Sequence, residues 1–101
     1  MIAKSIAIFI VGWLAGVGAA QAAGDAAAGQ PKAAMCAGCH GDKGQGFPPF
    51  PALAGKPEAY QVKALQDFKS GARSNPMMSS MAAMLSDQDM ENLAAYFASF
   101  R

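Results

Sequence analysis

The residues Cys36-Ala37-Gly38-Cys39-His40 decide what kind of domain this chain can form. Two cysteines at this spacing lie one helical turn apart, so their thiols project to the same side of a helix. Each thiol can form a thioether with one of two neighbouring vinyl groups of a haem, and the histidine that follows can reach the iron as a nitrogen ligand. The motif therefore predicts one covalently attached haem c, held by Cys36 and Cys39 and ligated by His40.

Three other uses of the cysteine pair compete with haem attachment. A zinc site usually needs further Cys or His pairs, and the chain has two cysteines and one histidine in all. A thioredoxin-like redox pair would lie near a βαβ pattern, which the sequence lacks. A structural disulfide stays open as an alternative, although so short a loop would constrain little of the unfolded chain.

Residues 1–22 have the pattern of a secretory signal. Lys4 supplies a positive charge, residues 6–17 are nearly all apolar, and Ala20-Gln21-Ala22 has the small residues of a cleavage site. The apolar run is shorter than the roughly 20 residues that a spanning helix needs, and an uncleaved anchor is the alternative. We expect cleavage after Ala22, export to the periplasm, and a domain of residues 23–101 without membrane attachment.

Charge is balanced in the expected mature domain. The chain has eight Lys and Arg against seven Asp and Glu, and Lys4 of the signal accounts for the excess. Basic stripes and interleaved aromatic and basic residues are absent from the sequence, which argues against a nucleic-acid partner. A domain of this size is near the lower limit for an unaided hydrophobic core, so a cofactor is expected to support the fold.

The pattern around the motif is helical, and no segment alternates as a strand would. An Ala-rich segment from Gly24 leads toward Cys36 as a helix that either begins afresh or bends at Pro31. Residues 41–56 are rich in Gly and Pro and predict a wrapped loop.

A second helix is predicted after this loop. Pro57 can occupy its first turn, and the helix should run to about Ser70 and end at Gly71. Its apolar residues fall on one side at helical spacing: Tyr60, Ala64, Leu65 and Phe68.

The last part of the chain predicts one more helix. Asn75-Pro76 is a turn former that precedes a cluster of methionines. Ser86, with Asp89 three residues later, indicates the N-cap of the final helix. Its apolar face contains Met90, Leu93, Ala94 and Phe97. We therefore expect an all-α domain of three to four helices wrapped around one haem.

A second iron ligand must come from a residue other than histidine. His40 is the one histidine of the chain, so a methionine thioether is the natural alternative to a second imidazole. Met35, next to the motif, and Met90, within the last helix, are interpreted as packing residues. The chemistry of the residues leaves four candidates open: Met77, Met78, Met81 and Met84.

Beyond these patterns, the segment from residue 23 onward resembles the class I cytochromes c, most closely one half of a two-haem c4-type cytochrome or a c553-like unit. The c4-type proteins repeat this unit, whereas this sequence reaches Arg101 after one, so a single-haem protein is expected. The similar stretches are Ala23-Gly24-Asp25 with Gly29, residues 36–41, Phe50-Pro51-Ala52-Leu53-Ala54-Gly55, Asn75-Pro76-Met77-Met78, Leu85-Ser86-Asp87-Gln88-Asp89 and Leu93-Ala94-Ala95-Tyr96-Phe97.

The resemblance implies roles for individual residues. In such proteins the ligand methionine lies seven residues before the Leu of the Leu-Ser-Asp element, which assigns Met78 here, ahead of Met77 and Met81. Pro51 matches the proline whose carbonyl accepts the N–H of the proximal imidazole. An apolar haem pocket is expected from Phe47, Phe50, Leu53, Leu65 and Phe97, and Gly29 and Tyr96 match the place where the first and last helices cross.

The function that follows is electron transfer by a periplasmic carrier that is not an enzyme by itself. Expected partners are redox proteins: a membrane cytochrome complex, a terminal oxidase or a periplasmic dehydrogenase. One alternative is a haem-carrying subunit of such a dehydrogenase, for example a sulfide-oxidising flavoprotein. A haem gas sensor is a further alternative, and it would need an open position on the iron.

Overall fold

The computed structural model describes residues 24–100, which form five α-helices and no β-strand. The predicted signal segment, residues 1–22, and its cleavage point lie outside this part of the chain. The all-α prediction is confirmed, and none of the five helices combines the length and apolarity needed to cross a bilayer. In chain order the helices are α1 (Ala26–Lys32), α2 (Ala34–His40), α3 (Glu58–Ser70), α4 (Pro76–Ala83) and α5 (Asp87–Ala98).

The expected first helix is split into α1 and α2. Asp25 is the N-cap of α1, and its carboxylate accepts hydrogen bonds from two amides of the first turn. Pro31 lies inside α1, where it has no N–H to donate and its ring crowds the preceding turn. The helix is interrupted at Ala33. This break, together with the formation of α4 in the methionine segment, explains why the described residues contain more helices than the three to four expected.

The ends of α3 and α5 follow the signals in the sequence. Gly71 ends α3 with a φ of 91°, in the left-handed region that favours glycine. A capping box begins α5: Ser86 Oγ accepts from the Asp89 amide at 3.0 Å, and the Asp89 carboxylate accepts from the Ser86 amide at 3.0 Å. Both predicted boundaries are confirmed.

The core is built on one face of α5. Met90, Leu93, Ala94 and Phe97 are fully or almost fully buried, as their spacing predicted. Helices α1 and α3 pack against α5, and α4 packs against α3. Partly buried side chains surround this core: Met35, Cys36, Leu53, Leu65, Tyr96 and Phe100.

Helix α1 crosses α5 at Gly29. A Cβ atom at residue 29 would overlap the backbone carbonyl of Asn92 and lie 3.0 Å from the Cβ of Tyr96. The Asp25 amide also donates to the side-chain oxygen of Asn92 at 2.8 Å. The close crossing that the resemblance implied is therefore present.

The buried face of α3 differs from the predicted one at its N-terminal end. Tyr60 is exposed, whereas the neighbouring Gln61 is buried. Leu65 packs against the core four residues after Gln61, so the buried stripe starts at a polar residue. The prediction for Tyr60 was wrong because spacing alone fits either residue.

The two helices that carry the candidate ligands do not pack against each other. Among the described helices, α2 contacts only α1, and α4 contacts only α3. The chain between α2 and α3 runs through the loop of residues 41–56, where one isolated bridge joins Phe47 and Phe50. Helix α2 is thus attached to α1 and helix α4 to α3, and the core helices lie between them.

Candidate haem-attachment site

His40, the last residue of α2, is a buried imidazole with one hydrogen bond. Its side chain is 6% exposed, and Nδ1 lies 2.7 Å from the carbonyl oxygen of Pro51. Because a carbonyl can only accept, the proton of the neutral ring must be on Nδ1. The other nitrogen, Nε2, has no hydrogen-bond partner within residues 24–100, so its lone pair is available as a ligand.

The loop of residues 41–56 is folded tightly enough to place this carbonyl. The Gly46 amide donates to the His40 carbonyl at 2.7 Å, and the Gly44 carbonyl accepts from the amides of Leu53 and Ala54 at 2.7 and 2.9 Å. Gly44 has a φ of 70°, and a Cβ there would collide with the ring of Phe97. Glycine is therefore required where the loop folds back beneath His40.

Two phenylalanines extend from His40 toward the surface. The rings of His40 and Phe50 are edge to face with centroids 6.3 Å apart, and Phe47 meets Phe50 in the same way at 6.0 Å. Phe50 is half-buried, whereas Phe47 is exposed. Of the five side chains expected in an apolar pocket, Leu53, Leu65 and Phe97 join the core, Phe50 packs on the imidazole and Phe47 lies outermost.

Cys36 and Cys39 lie on α2, one turn apart, and are not joined to each other by a disulfide. Burial raises the pKa of the Cys36 thiol, and the nearby Cys39 raises it further. Within the described residues, no three His, Cys, Asp or Glu side chains converge on a possible metal position.

The methionines differ in burial in a way that separates the candidates. Met77 and Met84 are 58% and 63% exposed, whereas Met78 and Met81 are half-buried. Asn75 caps α4 through its side-chain oxygen, which accepts from the amides of Met77 and Met78 at 3.0 Å each. The second of these hydrogen bonds fixes the backbone of Met78 in the first turn of α4.

Sequence reasoning missed Gln61 and the capping role of Asn75. Asn before Pro is an N-cap signal as well as a turn signal, because Pro is favoured at the first helical position. That combination could have predicted α4. The burial of Gln61 has no comparable signal in the sequence, because a glutamine in a helix is usually on the solvent side.

The side chains present fit a haem. Nε2 of His40 is a buried nitrogen without a protein partner, next to two thiols on the preceding turn of the same helix. A half-buried thioether, that of Met78, is available on α4, which does not pack on α2. One imidazole and one thioether are the axial donors that c-type iron takes.

Comparisons with known proteins identify the family. The family model described as cytochrome c matches residues 26–101. A cytochrome c4 of Pseudomonas aeruginosa is 53% identical over 83 residues, which cover 81% of this chain and 41% of the relative. A cytochrome c-554(548) of Halomonas halodenitrificans is 41% identical over 81 residues, covering 76% of this chain and 98% of the relative.

Two further similarities bear on function and fold. A thiosulfate dehydrogenase electron acceptor of Stutzerimonas stutzeri is 51% identical over 67 residues, 64% of this chain and 31% of the relative. The crystal structure of reduced recombinant cytochrome c4 from Pseudomonas stutzeri superposes with a TM-score of 0.74 at 47% identity, covering 78% of this chain and 47% of the other.

The fold and the matched relatives define a class I c-type cytochrome, and the chain belongs to the cytochrome c family. Its domain binds haem c covalently. Within that family it is similar to one unit of cytochrome c4, and it spans less than half the length of the c4 relative quoted above.

Proposed function

We propose that the protein is an exported single-haem electron carrier in which Cys36 and Cys39 hold the haem and His40 and Met78 ligate the iron. The observation that carries this proposal is the buried His40, whose Nδ1 is bonded to Pro51 while Nε2 is left without a partner among the described residues. A buried nitrogen with no partner is costly unless something binds it.

The chain's own residues orient and insulate the site. The Pro51 carbonyl fixes the tautomer of His40 and its ring orientation, which directs Nε2 away from the loop. Phe50, Leu53, Leu65 and Phe97 supply apolar surroundings, and such surroundings disfavour the extra charge of an oxidised iron. When bound, the haem supplies one-electron Fe(III)/Fe(II) chemistry, and a methionine ligand raises its potential relative to a second imidazole.

Carbon monoxide binding tests whether the protein is a carrier. With both axial positions occupied by His40 and Met78, we expect the reduced protein to bind carbon monoxide slowly or not at all. Met78→Ala is the positive control, since it should open one position and bind the gas rapidly. Rapid binding by the unmodified protein would contradict the proposal and favour the gas-sensor alternative.

Export and processing are part of the same proposal. The short apolar run of residues 6–17, followed by the small-residue site Ala20-Gln21-Ala22, supports a periplasmic protein of residues 23–101. Mass spectrometry of the haem-containing protein, purified from whole cells solubilised in detergent, should give the mass of that segment plus one haem. A mass that includes residues 1–22 would favour the anchor alternative.

A haem subunit of a periplasmic dehydrogenase is a second candidate. It is favoured by the 51% identity to a thiosulfate dehydrogenase electron acceptor, which makes such an enzyme a better-supported partner than the sulfide-oxidising flavoprotein considered above. A membrane cytochrome complex or a terminal oxidase would be the partner of a free carrier. Gentle affinity purification should yield the protein alone if it is a free carrier, and a stoichiometric dehydrogenase if it is a subunit.

A further inference from the structure

Two polar side chains are buried within residues 24–100, and both hold the same loop. They are His40 and Gln61, which are 6% and 5% exposed. His40 binds the carbonyl of Pro51, and Gln61 binds two carbonyls a few residues further along. The two buried polar side chains therefore both bind one short segment of the loop, residues 51–56.

Gln61 reaches back from the first turn of α3 to this segment. Its Nε2 donates to the carbonyl of Leu53 at 3.0 Å and to that of Lys56 at 2.8 Å. The two carbonyls belong to one tight turn, since the Lys56 amide itself donates to Leu53 at 3.2 Å. Both amide hydrogens of Gln61 are thus used to fix the shape of this turn.

The turn is also tied to α5, by a backbone hydrogen bond and by the packing of Leu53 against the core. The Gly55 amide donates to the Phe97 carbonyl at 2.9 Å. Gln61 supplies the side-chain link to α3, so the turn is held between two core helices. Pro51 lies two residues before Leu53, and the position of its carbonyl depends on where this turn is anchored.

We propose that Gln61 is a positioning residue for the axial histidine: it anchors the turn of residues 53–56 to α3 and thereby holds the Pro51 carbonyl against Nδ1 of His40. This rests on the proposed function, in which His40 is an iron ligand. The side-chain amide of Gln61 hydrogen-bonds to the carbonyls of Leu53 and Lys56, and its effect on His40 is exerted through this turn.

Loss of the Gln61 hydrogen bonds should change the reduction potential of the haem in a definite direction. A firm N–H···O bond from the imidazole to a carbonyl increases the basicity of the ligating nitrogen, which favours the oxidised iron. If Gln61 is replaced by methionine, the turn loses two hydrogen bonds and the Pro51 contact loosens. At a fixed applied potential, the ratio of reduced to oxidised protein should then rise by about threefold, equivalent to roughly 30 mV for a one-electron couple.

The experiment compares Gln61→Met with Gln66→Met in the haem-loaded protein. Gln66 is an exposed glutamine of the same helix, so the control removes the same group without touching the turn. We expect solvent exchange of the His40 ring N–H, measured by NMR, to be at least tenfold faster in Gln61→Met and unchanged in Gln66→Met. Lower thermal stability with an unchanged exchange rate and redox ratio would overturn the proposal, because it would show a purely structural role.

A second measurement needs no variant and applies if Gln61→Met fails to fold. In the native protein, the Gln61 carboxamide and the His40 ring N–H should exchange through one shared opening, with the same denaturant dependence and opening constants within about twofold. An opening constant for Gln61 at least tenfold larger than that for His40 would overturn the proposal.

Failure of the proposed function would look different. The ring protons of a haem-bound imidazole are strongly displaced by the ring current of the porphyrin. If His40 lacks displaced resonances in the reduced native protein, it is not the ligand and the proposed function fails. Displaced resonances with unaltered exchange in Gln61→Met would overturn only the role of Gln61.

Discussion

At residue 29, the absence of a side chain lets the first helix reach the last. A Cβ at this position would overlap the backbone carbonyl of Asn92, and a backbone atom cannot move aside as the end of a flexible side chain can. Gly38 is the contrasting case, because a Cβ there would have no atom within 4 Å. Of these two glycines, Gly29 should resist substitution and Gly38 should tolerate it.

Gly29→Ala should destabilise the domain by about 2 kcal/mol, since the overlap forces α1 away from α5. Gly38→Ala is the control and should be neutral or stabilising by about 0.5 kcal/mol, because alanine is the better helix former. Thermal unfolding followed by circular dichroism measures both. Equal effects of the two substitutions would show that the crossing at Gly29 does not limit packing.

Asp89 connects the start of α5 to α1. Its carboxylate accepts from the Ser86 amide, and this hydrogen bond is the main reason that the pKa of Asp89 is below its usual range. Lys32 of α1 lies 3.6 Å away and lowers the pKa further. Because the folded state favours the charged form, its contribution to stability is present above the ordinary pKa of about 4 and is lost as the pH falls through the lowered value.

Asp89→Asn should therefore reduce stability at pH 7 by up to about 1 kcal/mol and have little effect in strong acid. Thermal unfolding between pH 2 and about pH 7 would show the two proteins converging as the pH falls. Asp87→Asn removes a charge from the same turn without breaking the cap and is the matched control. A stability difference for Asp89→Asn that stays constant down to pH 2 would contradict this assignment.

Helix α4 is a short helix whose stability relies on polar contacts at its ends. It is eight residues long, shorter than helices that are stable alone. Asn75 satisfies two amides of its first turn, and Lys69 of α3 donates to the Leu85 carbonyl at 2.5 Å just beyond its C-terminal end. Met78 thus lies on a helix that is held at both ends by polar contacts.

Asn75→Ala should loosen α4 and weaken ligation by Met78 more than it lowers global stability. Loss of an N-cap costs about 1 kcal/mol, and here the first turn carries the proposed ligand. We expect the reduced variant to bind carbon monoxide at least fivefold faster than the unmodified protein. Asp25→Ala removes the equivalent cap from α1, so its binding rate should be unchanged; equal acceleration in both variants would argue against a local effect.

The elements that the sequence predicted well are those whose signals are local. Gly71 and the Ser86–Asp89 pair define helix ends through backbone conformation and hydrogen bonds within four residues, and both are in place. Helix α4 is not predicted by its apolar pattern, which is weak, and an Asn before a Pro is a signal for a turn as well as for an N-cap. The buried side of α3 was misplaced by one residue, because Gln61 is stabilised by two carbonyls of a loop whose path the sequence does not determine.

Across the whole molecule, three residues of the candidate site come from one short segment, and the fourth comes from a helix far along the chain. Cys36, Cys39 and His40 share α2, so one motif predicted their arrangement. Met78 lies on α4, which does not pack on α2 and is connected to it through the core helices and through the loop of residues 41–56. Its assignment comes from a family resemblance, because residue chemistry alone left four methionines open.

The proposed function assigns His40 and Met78 as the two iron ligands of one haem. The most direct test is the absorption spectrum of the oxidised protein, in which iron with a methionine ligand shows a weak charge-transfer band at the red end. Met78→Ala should lose this band while mass spectrometry shows the haem still attached, and the exposed-site controls Met77→Ala and Met84→Ala should keep it. A band that persists in Met78→Ala, or that is absent from the unmodified protein, would contradict the account.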